Sequence, residues 1–290
     1  MRIQKFMSES GICSRREAER LVESGKVFIN KVPAVIGQDI DPENDVVYYA
    51  GKRIRIKICN KQYFMFNKPR SVITAMKAQD DRSVVADLLK GIKGRVYPIG
   101  RLDRDSEGLL ILTDDGELAD KLTHPKYNIA KTYRVTVKGK PTQANLEHLR
   151  EGIEIEEGVI TQPAEVSINK QTDDKTVLHI SIHEGKNRQI RKMCDEEGLQ
   201  ILLLKRIAIG EISLGRLAAG AYRPLTQKEL KYLFETLEMD PEKKIVKKPK
   251  DPSKQHALDK DTRFQSKKKV TKSVYEKRFL KQFGDKKKRR

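Results

Sequence analysis

The chain has 290 residues, enough for about two domains, and its 37% hydrophobic content is low for a chain folded along its whole length. A net charge of +19 favours a polyanionic partner, nucleic acid above all. No apolar stretch approaches the ~18 residues of a membrane helix, and the N-terminus lacks the apolar core of a signal peptide. The three cysteines, Cys13, Cys59 and Cys194, are too far apart to indicate a disulfide framework or a zinc site. We therefore expect a cytoplasmic protein that does not contact membranes.

Residues 1–58 have the pattern of a small module with two helices followed by short strands. Ile3, Phe6 and Met7 recur at helical spacing, and Ser14 with Glu17 three residues later is a capping box that begins a second helix. Three short strands are predicted after Gly25, at 26–30, 32–35 and 45–49. Such a module buries little core by itself and is expected to depend on a neighbour or a ligand.

The second predicted helix and the turn after it are rich in cations. Acidic residues are interspersed along the same helix, so charge alone favours a solvated helix face as much as an RNA contact. The cations in question are Arg15, Arg16, Arg20 and Lys26.

Residues 63–238 are predicted to form a second domain of class α+β, with a mainly antiparallel mixed sheet. Strands are predicted at 63–67, 131–137, 177–182, 201–204 and 211–214. Helices are predicted at 83–89, 117–122, 142–151, 187–197 and 226–238, the last opened by a capping box of Thr226 and Glu229.

Residues 240–290 form a basic tail with 20 Lys and Arg against 7 Asp and Glu. Its lysine runs, prolines and few apolar residues predict disorder. We expect it to raise affinity for a polyanion through phosphate neutralisation and counterion release, without reading sequence.

The segment 100–116 places several carboxylates between two strand-like apolar runs. Any one of them is equally well explained as a turn or helix-cap residue, so composition does not select a catalytic group. The chain has no phosphate-binding glycine loop, no dinucleotide fingerprint and no metal-ligand cluster, so we expect neither a cofactor nor a metal. The carboxylates are Asp103, Asp105, Asp114 and Asp115.

Three motifs in order resemble those of the pseudouridine synthases. Gly100-Arg-Leu-Asp103, followed by Gly108-Leu-Leu, is similar to the motif whose aspartate is the nucleophile in that family. Lys131-Thr-Tyr133 resembles the motif whose tyrosine lies under the target base, and Gln189-Ile-Arg191 resembles the one whose arginine pairs with the nucleophile. Asn67-Lys-Pro69 resembles the strand that opens the catalytic domain. The resemblance implies Asp103, Tyr133 and Arg191 as catalytic residues, with Asp105, Asp114 and Asp115 left as turn residues.

The N-terminal module resembles the alpha-L RNA-binding module, which favours RNA contact over a solvated helix face. Together the motifs resemble the branch that acts on ribosomal RNA, the small-subunit enzyme A and the large-subunit enzymes B, E and F. Features of several subtypes are mixed, and those of F and B favour 23S over 16S RNA. The implied RNA contacts in the catalytic domain are Arg101, Leu102, Arg104, Lys186, Asn187, Arg188, Gln189 and Ile190, beside the N-terminal cations.

We therefore expect a monomeric enzyme that isomerises a uridine in ribosomal RNA or in a ribosome-assembly intermediate. The base must leave the RNA stack to reach Asp103, and Arg101 is placed to fill the vacated space. An arginine at position 191 is expected to keep the nucleophile ionised. Two alternatives stay open: a uridine isomerase for 16S RNA or tRNA, and a ribosome-assembly factor that binds RNA without chemistry.

Overall fold

The computed structural model describes residues 1–56, 61–78 and 80–240. Residues 1–56 belong to one compact unit and residues 61–240 to another. The boundary predicted at residue 58 and the disorder predicted for the tail fall on residues 57–60 and 241–290, which lie outside the described residues. No helix in the described ranges is long and apolar enough to cross a membrane.

The first unit packs two helices against a four-stranded antiparallel sheet of order β2-β1-β3-β4. The Ser14 hydroxyl accepts a hydrogen bond from the Glu17 amide at 3.1 Å, so the predicted N-cap of the second helix is confirmed. The apolar side chains of both helices pack on the first strand in one core. The elements are α1 (Ile3–Glu9), α2 (Arg15–Glu23), β1 (Val27–Ile29), β2 (Val32–Pro33), β3 (Val47–Tyr49) and β4 (Lys52–Ile54).

The second unit is built on a nine-stranded sheet. Its strands are β5 (Tyr63–Lys68), β6 (Tyr97–Ile99), β7 (Glu107–Thr113), β8 (Lys131–Lys138), β11 (Glu165–Gln171), β12 (Lys175–Ile182), β13 (Ile201–Ile209), β14 (Ile212–Ser213) and β15 (Tyr222–Pro224). A separate hairpin pairs β9 (Glu154–Glu156) with β10 (Val159–Ile160). The helices are α3 (Gly116–Thr123), α4 (Gln143–Glu151), α5 (Gln189–Glu196) and α6 (Gln227–Thr236).

The main sheet has the order β11-β12-β8-β13-β7-β5-β15, with β6 and β14 attached to β7 and β13. Within this described sheet β13 and β7 run parallel, and the other strand pairs run antiparallel. The prediction of a mainly antiparallel mixed α+β domain is therefore confirmed.

The sheet has two faces that are covered differently. On the front face, Val135 and Val137 of β8 are buried against α4 and α5. The next residues along β8, Arg134 and Thr136, point to the back face because side chains alternate along a strand. On β7 and β5 the back face is also covered, since Leu109 packs with α3 and α6.

Helix α6 begins with a reciprocal capping box. The Thr226 hydroxyl accepts from the Glu229 amide at 3.2 Å, and the Glu229 carboxylate accepts from the Thr226 amide at 2.7 Å, which confirms the predicted capping box. Arg223 donates to both oxygens of Glu229, at 2.7 and 2.8 Å. Burial opposes ionisation, but these hydrogen bonds, led by those from Arg223, lower the pKa of Glu229 to about 2.

Two predicted helices differ from the structure. The helix expected at 187–197 begins at Gln189, because Arg188 has a φ of +52°, in the left-handed region that a right-handed helix excludes. The segment expected as a helix at 83–89 is a short 3₁₀ turn, Val85–Leu88. Strands β4, β9, β10, β11 and β15 were not predicted, because they are short or lack an alternating apolar pattern.

Candidate active site

The loop 100–106 connects β6 to β7 and is hydrogen-bonded to the segment that follows β5. The Thr74 hydroxyl donates to the Leu102 carbonyl at 2.7 Å and accepts from the Leu102 amide at 3.2 Å. The Ser71 amide donates to the Arg104 carbonyl at 2.7 Å. Because these hydrogen bonds fix the backbone on both sides of Asp103, the position of its carboxylate is also fixed.

Lys68, the last residue of β5, completes this support from the interior. Its side chain is fully buried, and its ammonium donates to the carbonyls of Ser106 at 2.8 Å and Pro69 at 3.0 Å. Burial lowers the pKa of Lys68 to about 8, although the carboxylates of Asp103 and Asp105 act in the opposite direction. The sequence motif placed Lys68 on a strand but gave no sign of this role.

Asp103 lies at the tip of the loop with its side chain about one third exposed, so a ligand has access to the carboxylate. Two guanidinium groups from the start of α5 approach one carboxylate oxygen. Oδ2 lies 3.8 Å from Nη1 of Arg188 and 3.9 Å from Nε of Arg191. The structure therefore brings together two residues predicted from separate motifs, 88 positions apart in the chain.

Arg191 contacts the next acidic residue more closely than it contacts Asp103. Its Nη2 lies 3.3 Å from Oδ2 of Asp105 and donates to the Asp105 carbonyl at 3.2 Å. Arg188 donates to the same carboxylate at 3.3 Å. Burial opposes ionisation of Asp105, but Arg191, a backbone hydrogen bond and Arg188 together hold its pKa below the ordinary value. The prediction that Asp105 is only a turn residue was wrong, because it is the main acidic partner of Arg191.

The other two loop carboxylates have the structural roles predicted for them. Asp114 accepts a hydrogen bond from the Gln62 amide at 2.8 Å. Asp115 caps α3 and accepts from the Tyr63 hydroxyl at 2.9 Å. Both lie beyond the far end of β7 from Asp103.

Strand pairing connects Tyr133 of β8, through β13, to β7, the strand that follows the loop. It lies opposite Arg206 of β13, and Arg206 lies opposite Gly108 of β7. A Cβ at Gly108 would lie 2.2 Å from the Arg206 carbonyl oxygen, and φ there is +111°, so only glycine fits. The close approach sets the position of β7 and of the loop before it.

Arg206 is a second residue that the sequence motifs did not mark. It is 6% exposed, and its Nε donates to the Leu109 carbonyl at 2.8 Å. Its Nη2 makes no hydrogen bond with any described residue. A buried cation in the middle of a strand has no signature in a single sequence, since its neighbours come from distant segments.

The turn before α5 is organised by a carboxylate. Glu184 accepts from the amide side chain of Gln189 at 2.7 Å and from the Lys186 ammonium, and the Lys186 amide donates to the Gln189 side-chain oxygen at 3.1 Å. Burial opposes ionisation, but these hydrogen bonds lower the pKa of Glu184. The turn aims Arg188 and Arg191 at the loop.

Three of the predicted RNA contacts are corrected by their burial. Leu102, Gln189 and Ile190 are 7%, 3% and 4% exposed. Side chains packed in the interior do not face a ligand, so we remove them from the set of RNA contacts and assign them to the support of the site. The predicted contacts whose residues remain exposed are Arg101, Arg104, Asn187, Arg188, Arg15, Arg16, Arg20 and Lys26, while Lys186 is partly exposed.

Comparison with known proteins identifies the family of this chain. A profile described as RNA pseudouridylate synthase matches residues 62–196, and an S4 domain profile matches residues 1–47. The chain is 41% identical over 238 residues to the ribosomal large subunit pseudouridine synthase B of Bacillus subtilis, covering 80% of this chain and 95% of that protein. The chain belongs to the RNA pseudouridine synthases. A second relative, the dual-specificity RNA pseudouridine synthase RluF of Escherichia coli, is 36% identical over 82% of this chain and 80% of that protein.

A solved structure agrees with the assignment. A pseudouridylate synthase 30% identical to this chain superimposes with a TM-score of 0.58, covering 80% of this chain and 99% of the other. This RNA pseudouridine synthase is therefore an isomerase that acts on RNA, and its first unit contains an S4 domain. The predicted enzyme is confirmed, and the alternative of a non-catalytic assembly factor is set aside.

Proposed function

We propose that this pseudouridine synthase isomerises a defined uridine in ribosomal RNA, with Asp103 as the nucleophile. In the reaction the bond between the sugar C1′ and N1 of uracil breaks, and a bond between C1′ and C5 forms. The proton on C5 is lost and N1 gains one, so atoms balance without an oxidant or a second substrate.

The observation that carries the proposal is the position of the Asp103 carboxylate. It is accessible, lies within 4 Å of two guanidinium groups and stands on a loop that backbone hydrogen bonds fix. A nucleophilic carboxylate must be charged when it attacks, and this one stands beside two cations. Fixed positioning also removes the entropy of finding the reactive geometry.

The other site residues receive roles from their positions. Tyr133 offers a ring and a hydroxyl to the flipped base, next to the C5 atom that must lose its proton. Arg191 anchors the loop through Asp105 and leaves its Nε toward Asp103, where it makes no hydrogen bond with any described residue. Arg101, exposed at the start of the loop, fills the space that the flipped base leaves.

Release of tritium from RNA labelled at C5 of uridine tests the chemistry. The wild-type enzyme is expected to release label, and Asp103→Asn to release none. Asp114→Asn is the matched control, because Asp114 is a loop carboxylate at the other end of β7 whose hydrogen bond to Gln62 an asparagine oxygen can keep. Equal release by Asp103→Asn and wild type would refute the role of Asp103.

We propose 23S ribosomal RNA as the substrate, because the Bacillus subtilis relative at 41% identity is named a ribosomal large subunit pseudouridine synthase. Pseudouridine mapping in 23S, 16S and transfer RNA, with and without the gene, tests this. A mark lost from 23S RNA supports the proposal. A mark lost from 16S RNA or tRNA alone would redirect the substrate while leaving the chemistry intact.

A further inference from the structure

Half of the main sheet is bare on its back face. The side chains of β8, β12 and the first part of β13 that point to this side belong to none of the hydrophobic clusters of the described residues. Their front-face neighbours, such as Val135 and Leu178, are fully buried. Among the described residues, the back face of this half-sheet is therefore open to solvent, on the opposite side from Tyr133.

The open face carries cations in directly paired positions. Arg134 lies opposite His179 on one neighbouring strand and Lys205 on the other. Four residues further along β8, Lys138 lies opposite Lys175. Like charges directly opposite each other destabilise a sheet, so local strand pairing gives no reason for this arrangement.

Most of this positive charge has no acidic partner. Lys205 lies 3.7 Å from Glu107, but no described carboxylate is within ion-pair distance of Arg134, Lys138 or Lys175, all of which are exposed. Between the cation pairs, Thr136 lies opposite Val177 and Leu203, both half-buried, and the hydroxyls of Thr132 and Ser181 lie 2.9 Å apart.

The chemistry of the face fits a sugar-phosphate backbone. Cations and hydroxyls are the groups that contact phosphate and sugar oxygens, and the face presents no Phe, Tyr or Trp on which a base would stack. From Arg134 to Lys138 it extends about 14 Å along β8, and three adjacent strands span about 10 Å across it.

We propose that this back face, centred on Arg134, Lys138 and Lys175, binds the backbone of an RNA helix that does not enter the active site. This proposal rests on the proposed function only because it takes RNA as the substrate. One RNA would then contact two opposite sides of the catalytic unit, one with its target uridine and the other with a distal helix read by shape and charge.

Binding of the full-length enzyme to a generic 20-base-pair RNA duplex tests the proposal. The variant is Arg134→Glu/Lys138→Glu, and the matched control is Lys228→Glu/Lys231→Glu on α6, which changes net charge equally at exposed positions. We expect the back-face variant to bind about 10-fold more weakly than the control at low salt. Its salt dependence should also fall by about 0.7–0.9 in slope for each lost phosphate contact.

The fold of the variant gives an internal check. A carboxylate at position 134 would face His179 and Lys205, so thermal stability should not fall. If stability does fall, Arg134→Gln/Lys138→Gln and Lys228→Gln/Lys231→Gln replace the pair. Equal duplex affinity of the back-face and control variants would overturn the proposal. A back-face variant that binds polyglutamate more weakly than the control, but binds the duplex equally well, would also overturn it.

Tritium release from a short stem-loop at saturation separates this proposal from the proposed function. The back-face variant should match wild type there, because its residues lie away from Asp103. If wild type releases no tritium, the proposed function fails, yet the duplex-binding comparison still decides whether the back face binds RNA.

Discussion

The ammonium of Lys68 lies 2.8 Å from the carbonyl oxygen of Ser106, inside the second unit, three residues after Asp103 in the loop. The contact joins the end of one strand to the residue that precedes the next. This hydrogen bond makes the loop that carries the Asp103 carboxylate rigid.

Lys68→Met should reduce catalysis strongly while leaving most of the fold intact. Methionine fills a similar volume but leaves the carbonyls of Ser106 and Pro69 without a donor, at about 1–3 kcal/mol for each buried group. A shift of about 1 Å in the loop lowers kcat/KM by about 10²-fold. Single-turnover rates and urea unfolding measure the two effects, and the exposed Lys77→Met is the control.

The pH dependence of stability should report the buried charge of Lys68. Its pKa falls from 10.5 in the unfolded chain to about 8 in the folded enzyme, so the unfolded chain binds more protons between these values. Below pH 8 the buried charge of Lys68 lowers the free energy of unfolding. Between pH 8 and pH 10.5 the folded protein loses this charge, and the free energy of unfolding rises by about 3 kcal/mol. The rise should be present in wild type and absent from Lys68→Met in parallel urea titrations.

Asp105→Asn should lower kcat by about 10-fold or more, because Arg191 and Arg188 lose the carboxylate that holds them in place. The ion pair is present above the ordinary pKa of Asp105 and is lost as pH falls through its depressed folded-state pKa. Steady-state kinetics on labelled RNA measure the change. Wild-type kcat in the variant would show that the arginines are positioned without Asp105.

Gly108→Ala should destabilise the second unit by more than ~2 kcal/mol and abolish turnover. The added Cβ would meet the Arg206 carbonyl at 2.2 Å on a backbone with φ of +111°. Gly158→Ala is the matched control, because Gly158 also has a positive φ, +73°, with nothing within 4 Å of the added atom. The control should lose about 1 kcal/mol. Denaturant unfolding compares the two, and equal losses would contradict a steric role for Gly108.

Glu229→Gln should cost about 1–2 kcal/mol through loss of the charged hydrogen bonds from Arg223 and weakening of the α6 cap. Because folding lowers the pKa of Glu229 from 4.5 to about 2, this contribution is present above pH 4.5. It disappears as pH falls from 4.5 to 2. Thermal unfolding should therefore separate wild type from variant at pH 7 and bring them together near pH 2.

The sequence predicted the elements whose signals are local. Capping at Ser14 and Thr226 and alternation along β8 each depend on residues a few positions apart, and the structure has them where they were expected. The role of Asp105 and the buried position of Arg206 depend on segments 86 and 97 residues away, so no local pattern announces them. The resemblance supplied Asp103 and Arg191, and the structure shows that the two lie together.

The hydrogen bonds from Ser71 and Thr74 to the loop have a thermodynamic consequence for RNA binding. Because they lock the backbone around Asp103 as the chain folds, the loss of conformational freedom there occurs before substrate arrives. The free energy of RNA association is then available for unstacking the target uridine and need not order the segment that receives it.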